Sequence, residues 1–230
     1  MPQKLERINE RFVLLCEGQH DSEFFTHLSA AYPGIPKFTI ASVNFVLGIT
    51  HGGNTRFADA LNALTAVPGF EQVERLLIVA DNDVNPATEF QAVVNAINAA
   101  APILGPPASR FVAPPTPQVK AGGAPYVVVL MIPWTNVAGN LDTMCLAAAM
   151  ANAPAPMPNC VNDFALCANV QHWPITSLAK MKFRSFLAAS WQTNPYISPT
   201  HVWSNRTNLV PLTDPTFNGI VDFLRRFPTL

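Results

Sequence analysis

The chain reads as an α/β protein, a three-layer fold with a mainly parallel β-sheet and a C-terminal helical cap. Three observations predict it. Short apolar runs alternate with longer stretches of helical periodicity over residues 1–150. The runs are continuously apolar, as in strands covered on both faces. Strand–helix–strand alternation builds right-handed βαβ units, and hence a parallel sheet.

Each element has its own signal. Phe12-Val-Leu-Leu-Cys16 is a five-residue apolar run, the length of a buried strand. Asp21 to Ala31 follows as helix, with Phe24, Phe25 and Leu28 on one side. Phe38 to Leu47 is rich in β-formers and is broken by Gly52-Gly53-Asn54. Phe57 to Leu64 reads as helix, and Arg75 to Ala80 as a second fully apolar strand. Pro86 sits in the first turn of a helix running to Ala99, with Phe90, Val93, Val94 and Ile97 at helical spacing. Residues 101–125 hold seven prolines and read as a surface excursion, with a short strand at Arg110 to Ala113. Tyr126 to Ile132 is the strongest strand in the chain, ending at Pro133. Gly139 to Met150 follows as helix, and Ala151 to Pro158 as a Pro-rich connector. Leu178 to Trp191 and Thr216 to Phe227 look helical. The domain plan is therefore an α/β core over 1–150 and a helical extension over 151–230 packed on the same core.

Composition narrows the function. Of 230 residues, 49% are hydrophobic and 13% charged, ample for a core and unlike a disordered chain. Net charge is −1, which argues against bulk electrostatic binding of nucleic acid. From Lys180 onward, six cations stand against two carboxylates, a net of +4, so a local basic face is open. Cys16, Cys145, Cys160 and Cys167 match no zinc spacing, and the first and second of these read as buried small hydrophobes. Residues 1–10 are polar and no apolar run approaches the ~20 residues of a membrane span, so a soluble cytoplasmic protein with reduced thiols is expected.

Parallel sheets bind ligands beyond the carboxyl ends of their strands. Glu17-Gly18-Gln19-His20-Asp21 follows the first strand, Asp81-Asn82-Asp83 the third, and Asn136, Gly139, Asn140 and Asp142 the last. Glu17, Asp81 and Asp83 thus fall at one edge, an oxygen-rich set suited to Mg²⁺ or Mn²⁺. In an extended Asp-x-Asp both carboxylates leave on one side. Gly18 permits a tight turn and close backbone approach. Asp21 reads as a helix cap. Asp142 serves either a helix N-terminus or the site.

Other candidates have plainer readings beside the functional one. His20 reads as a partly exposed loop histidine and His51 as a neighbour of the same cleft. Gly52-Gly53 reads as a turn. Lys180 and Arg184 share a helix face that Lys182 does not, and solvation competes with phosphate contact there. Trp134, Trp173, Trp191 and Trp203 read as core before they read as base-stacking platforms.

Glu17-Gly18-x-x-Asp21, followed about 60 residues later by Asp81-x-Asp83, each directly after an apolar strand, resembles the Toprim domain of topoisomerases, bacterial primases, small ribonucleases and phage-defence nucleases. The likeness covers residues 11–100 and continues more weakly to 150. The wider layout resembles Toprim-like bacterial proteins of unknown function. It includes the Gly52-Gly53 loop, Ile132-Pro133 with Gly139-x-Leu141-Asp142, and Lys180-x-Lys182-x-Arg184. Those proteins usually carry Leu-Glu-Asp where this chain has Leu141-Asp142-Thr143, a departure that bears on any fourth ligand.

The resemblance implies a Rossmannoid Toprim-like fold and a Mg²⁺-dependent, nuclease-type phosphoryl-transfer site. In it Glu17 acts as acid/base or ligand, and Asp81 and Asp83 hold the metal. Gly18, Asp21, Asp142 and Lys180 complete the expected site. Two other readings stay open. One is a non-catalytic module that binds nucleotide, nucleic acid or a protein partner in a defence system. The other is a dehalogenase-like or receiver-like protein, which fits less well because the dehalogenase type carries its Asp-x-Asp after the first strand. Oligomerisation is left open.

Overall fold

The computed structural model describes residues 4–50, 53–100, 111–205 and 208–230. Four parallel strands form one sheet: β1 (Phe12–Cys16), β2 (Thr39–Ser42), β3 (Arg75–Asp81) and β4 (Tyr126–Ile132), in the spatial order β2-β1-β3-β4. Nine α-helices surround it among the described residues. They are α1 (Gln19–Ala31), α2 (Val43–Leu47), α3 (Phe57–Thr65), α4 (Pro86–Ala99), α5 (Leu141–Asn152), α6 (Met157–Cys167), α7 (Ile175–Ser190), α8 (Val202–Asn205) and α9 (Asn218–Arg226).

Strand alternation divides the apolar side chains into two cores. Val13, Leu15, Leu76, Ile78, Val127 and Val129 point to one face, where α2, α3 and α4 cover them with Val46, Phe57, Leu61, Val93 and Ile97. Leu14, Cys16, Leu77, Val79, Val128 and Leu130 point to the other, beneath α1 and the C-terminal helices. The layers are therefore helix, sheet, helix, as the continuous apolar strands predict. Phe183, Phe186, Trp203, Phe217, Phe223 and Phe227 of residues 151–230 join the second core. At ~1.5–3 kcal/mol for each large apolar side chain taken out of water, this holds the C-terminal segment against the sheet.

Several local expectations change. The β-rich run Phe38–Leu47 is a strand for four residues only. Ser42 then accepts a hydrogen bond from the Phe45 N–H and caps α2, which Gly48 closes in the left-handed conformation at φ 67°. The Pro-rich connector ends early, because Pro158 stands in the first turn of α6, where proline lacks no needed donor. Phe111–Ala113 form no strand, and Arg110 lies outside the described residues. Instead, Gln118 and Ala121 donate backbone hydrogen bonds to Val129 and Val127 carbonyls of β4, so the excursion covers that edge of the sheet. Cys16 and Cys145 are buried as expected, while Cys160 and Cys167 are exposed. No helix among the described residues is long and apolar enough to cross a membrane.

Candidate functional site

Register brings the strand ends together. Cys16 pairs with Ser42 on one side and Val79 on the other, and Asp81 pairs with Ile132. Glu17 and Asp81 thus leave adjacent central strands at the carboxyl edge. The Asp81 N–H donates to Glu17 Oε1 at 3.0 Å, a direct link between the first two candidates. The Leu141 N–H, at the start of α5, donates to Asp81 Oδ1 at 3.2 Å.

Asp83 departs from the extended geometry. β3 ends at Asp81, and Asp83 adopts φ 42°, a conformation that L-residues other than Asn and Asp rarely take. Its carbonyl accepts from the Gly139 N–H at 2.7 Å. Gly139 needs its own φ of 134°, and a Cβ there would stand 3.0 Å from both Pro133 Cγ and Thr143 Oγ1. Between the two acids, Asn82 is wholly buried. Its Nδ2 donates to the Trp134 and Val137 carbonyls at 2.6 and 2.8 Å, which ties the loop after β3 to the loop after β4. Sequence reasoning passed over Asn82. An amide framed by two acids at the end of an apolar strand is the signal that could have found it.

Gly18 is not the tight turn expected. Its φ of −132° and ψ of 173° suit any residue. It is the N-cap of α1, and its N–H donates to Asp21 Oδ2 at 2.9 Å, so Asp21 caps the helix as read. Asp142 lies in the first turn of α5 and is buried. Beside it Thr143 has a purpose of its own. Asn140 Oδ1 accepts from the Thr143 N–H, and Thr143 Oγ1 accepts from the Asn140 N–H, a closed capping box.

His20 differs most from its reading. It is a helix residue stacked between Phe183 and Trp203, at centroid distances of 6.4 and 5.5 Å. Its Nδ1 is 3.9 Å from Asp142 Oδ1, and its Nε2 is buried without a hydrogen-bond partner. Burial first, then Arg184 and Lys180, hold its pKa down to about 4. Lys180 and Arg184 lie one turn apart on α7 with their charges reaching Asp142, whereas Lys182 Nζ turns aside to Asn162 Oδ1 at 2.8 Å. Gly52 and His51 lie outside the described residues.

The electrostatics of the edge are dominated by like charge. Burial, then the Asp21 carboxylate, push Glu17 up to about 8, with Asp83 and Glu89 adding to the rise and the Asp81 N–H opposing it. Asp81 is raised well above the carboxylate range by burial, then by Asp21, Glu17 and Asp83. Burial raises Asp21 to about 6, against the Gly18 N–H. Asp142 is raised by burial and eased by Lys180 and Arg184.

Glu17 and Asp81 therefore both feel the charges of Asp21 and Asp83. Their oxygen donors are of the kind that Mg²⁺ or Mn²⁺ takes, and Mg²⁺ needs only one or two carboxylates when waters complete its shell. In that limited sense the donor set fits the ion. Among the described residues, no three His, Cys, Asp or Glu side chains converge closely enough to hold a metal as they stand. Asp81, engaged by Leu141, and Glu17, engaged by Asp81, would have to share their oxygens with it.

Fold and edge define an α/β protein with a partly buried acidic cluster at the carboxyl end of its central strands. The chain belongs to the family described as "Protein of unknown function (DUF3226)", whose profile matches residues 11–229. No curated protein and no solved structure matches it.

Proposed function

We propose that this protein binds Mg²⁺ or Mn²⁺ at Glu17, Asp81 and Asp83 and carries out nuclease-type phosphoryl transfer on a nucleic acid, in the manner of Toprim domains. The observation that supports this most is the burial of mutually repelling carboxylates at the ends of β1 and β3. A cation at this edge would neutralise that repulsion and the charge developing on a phosphodiester. Glu17, with its pKa pushed to about 8 in the metal-free protein, would either exchange its proton with an attacking or leaving oxygen or, once ionised, ligate the cation. Asn82 and the Asp83–Gly139 bridge fix the loop that carries both aspartates. Lys180 and Arg184 reach Asp142 from α7, and Lys180 also reaches Asp21, so they would offer positive charge to a substrate phosphate on that side of the edge. The four free thiols suit a cytoplasmic setting.

The test is cleavage of single- and double-stranded DNA and RNA with Mg²⁺ or Mn²⁺. Wild-type protein should cut at least one of these, and the chelated protein none. Failure on every substrate with both metals overturns the catalytic reading. A second reading is a non-catalytic module that binds nucleotide, nucleic acid or a partner protein. The lack of three convergent ligands among the described residues favours it. Nucleic-acid or partner binding without any divalent-cation dependence would establish it.

A further inference from the structure

A cavity of about 520 Å³ opens along edge strand β2, between α1 and the segment from α2 to Thr50. Small-molecule sites commonly fall between about 300 and 1,000 Å³. The cavity begins one strand from the acidic cluster. Ser42, in its wall, pairs with Cys16, the residue before Glu17, and neighbouring strands lie ~4.8 Å apart. Gln19, two residues beyond Glu17, lines the near side.

The lining selects against charge. Among the described residues it contains no Lys or Arg, and its one acid there, Glu23, stands 3.8 Å from His27 Nε2. A second phosphate would find no cation there. Ile40, Phe45 and Ile49 give an apolar wall, and Gln19, Asn44 and Thr50 give neutral polar groups. Asn44 is only half satisfied. Its Nδ2 donates to the Thr50 carbonyl at 3.3 Å, while its Oδ1 is buried with no partner. Turning this amide toward the cavity would let a ligand's donor satisfy its open acceptor. A nucleobase has an apolar face and an N–H edge, and its sugar has hydroxyls for the rim.

We infer that this cavity receives the base of a nucleotide whose sugar lies at the rim and whose phosphate lies at the Glu17–Asp81 edge. The protein then grips a nucleotide or a nucleotide unit, not only a sugar–phosphate backbone. The phosphate end rests on the phosphoryl-transfer reading, and the neutral end rests on the lining alone.

The test titrates the whole protein, in Mg²⁺, with the four nucleoside 5′-monophosphates and with ribose 5-phosphate, and then, without metal, with the free nucleosides. At least one monophosphate should bind roughly tenfold or more tightly than ribose 5-phosphate. Thr26→Trp fills the cavity from the exposed side of α1 and should erase that margin while leaving ribose 5-phosphate unchanged. Asn44→Leu, which removes the open acceptor, should narrow it. Equal binding of ribose 5-phosphate and all four monophosphates overturns the inference and leaves the phosphate site standing. Nucleoside binding blocked by Thr26→Trp, with no Mg²⁺-dependent phosphate binding, supports the cavity and removes the metal site. No binding of any probe overturns both.

Discussion

At the amino edge of the sheet, Arg11 and Glu74 flank the starts of β1 and β3 and meet at 3.2 Å, both exposed. At the carboxyl edge the same two strands end in Glu17 and Asp81, both raised by burial and by neighbouring acids. One end pairs opposite charges in water, and the other gathers like charges out of it. Lys180 eases Asp21 and Asp142, but only backbone N–H groups are set against the rise at Glu17 and Asp81. The contrast teaches that the carboxyl edge is arranged at a cost to the folded chain, whereas the amino edge costs almost nothing. Uncompensated like charge at strand ends is a feature that functional sites share.

The sharpest way to break the contrast is to neutralise one member of the acidic edge. Asp81→Asn should lower metal-dependent cleavage by more than the roughly 10–100-fold that follows loss of a metal's outer-shell partner. At a pH high enough to ionise Asp81, it should also raise the melting temperature of the metal-free protein, because a repelling charge is gone while the acceptor for the Leu141 N–H remains. Lower activity together with lower stability would mean that the carboxylate is structural. Calorimetry beside the cleavage assay separates the two outcomes.

Asn82→Ala attacks the frame instead. It leaves the Trp134 and Val137 carbonyls without their donor, at about 1–3 kcal/mol for each group that stays dry. Denaturant unfolding should show a loss in that range or above. A change below ~0.5 kcal/mol would show that the two loops do not depend on this amide.

pH tests the contrast without mutation. Glu17 and Asp21 hold protons more tightly folded than unfolded, with folded values of about 8 and 6. Between the ordinary carboxylate range and pH ~8 the folded state carries more protons, so stability falls as pH rises through that window. The metal-free protein should melt several degrees lower at pH 8.5 than at pH 5.5, at ~2–4 °C per kcal/mol for a chain of this size. A melting temperature that rises over that interval would contradict like-charge burial.

The smallest effect belongs to the amino edge. Arg11→Ala removes one partner of an exposed pair and should change stability by less than ~1 kcal/mol. A larger loss in the same unfolding assay would erase the difference between the two edges.

Legibility in the sequence followed the range of the interactions. Pro86–Ala99 and Tyr126–Ile132 were readable to the residue, because a first-turn proline and an unbroken apolar run act locally. Phe38–Leu47 was not, since Val43, Phe45, Val46 and Leu47 suit either conformation and the Ser42 cap decides the matter. Glu17 and Asp81 were legible as neighbours from strand order alone. The left-handed turn at Asp83, the buried bridge through Asn82 and the sandwich around His20 were not. They depend on partners 52 to 183 residues away in the chain, which no local pattern encodes. The Asn140–Thr143 capping box was readable in principle from its spacing.

The most direct test of the central claim is anomalous diffraction from crystals soaked in Mn²⁺. If the carboxyl edge is a cation site, a peak should stand between Glu17, Asp81 and Asp83, with carboxylate oxygens at a little over 2 Å, and it should vanish in Asp81→Asn. An ordered cluster with no peak at saturating Mn²⁺ would contradict it.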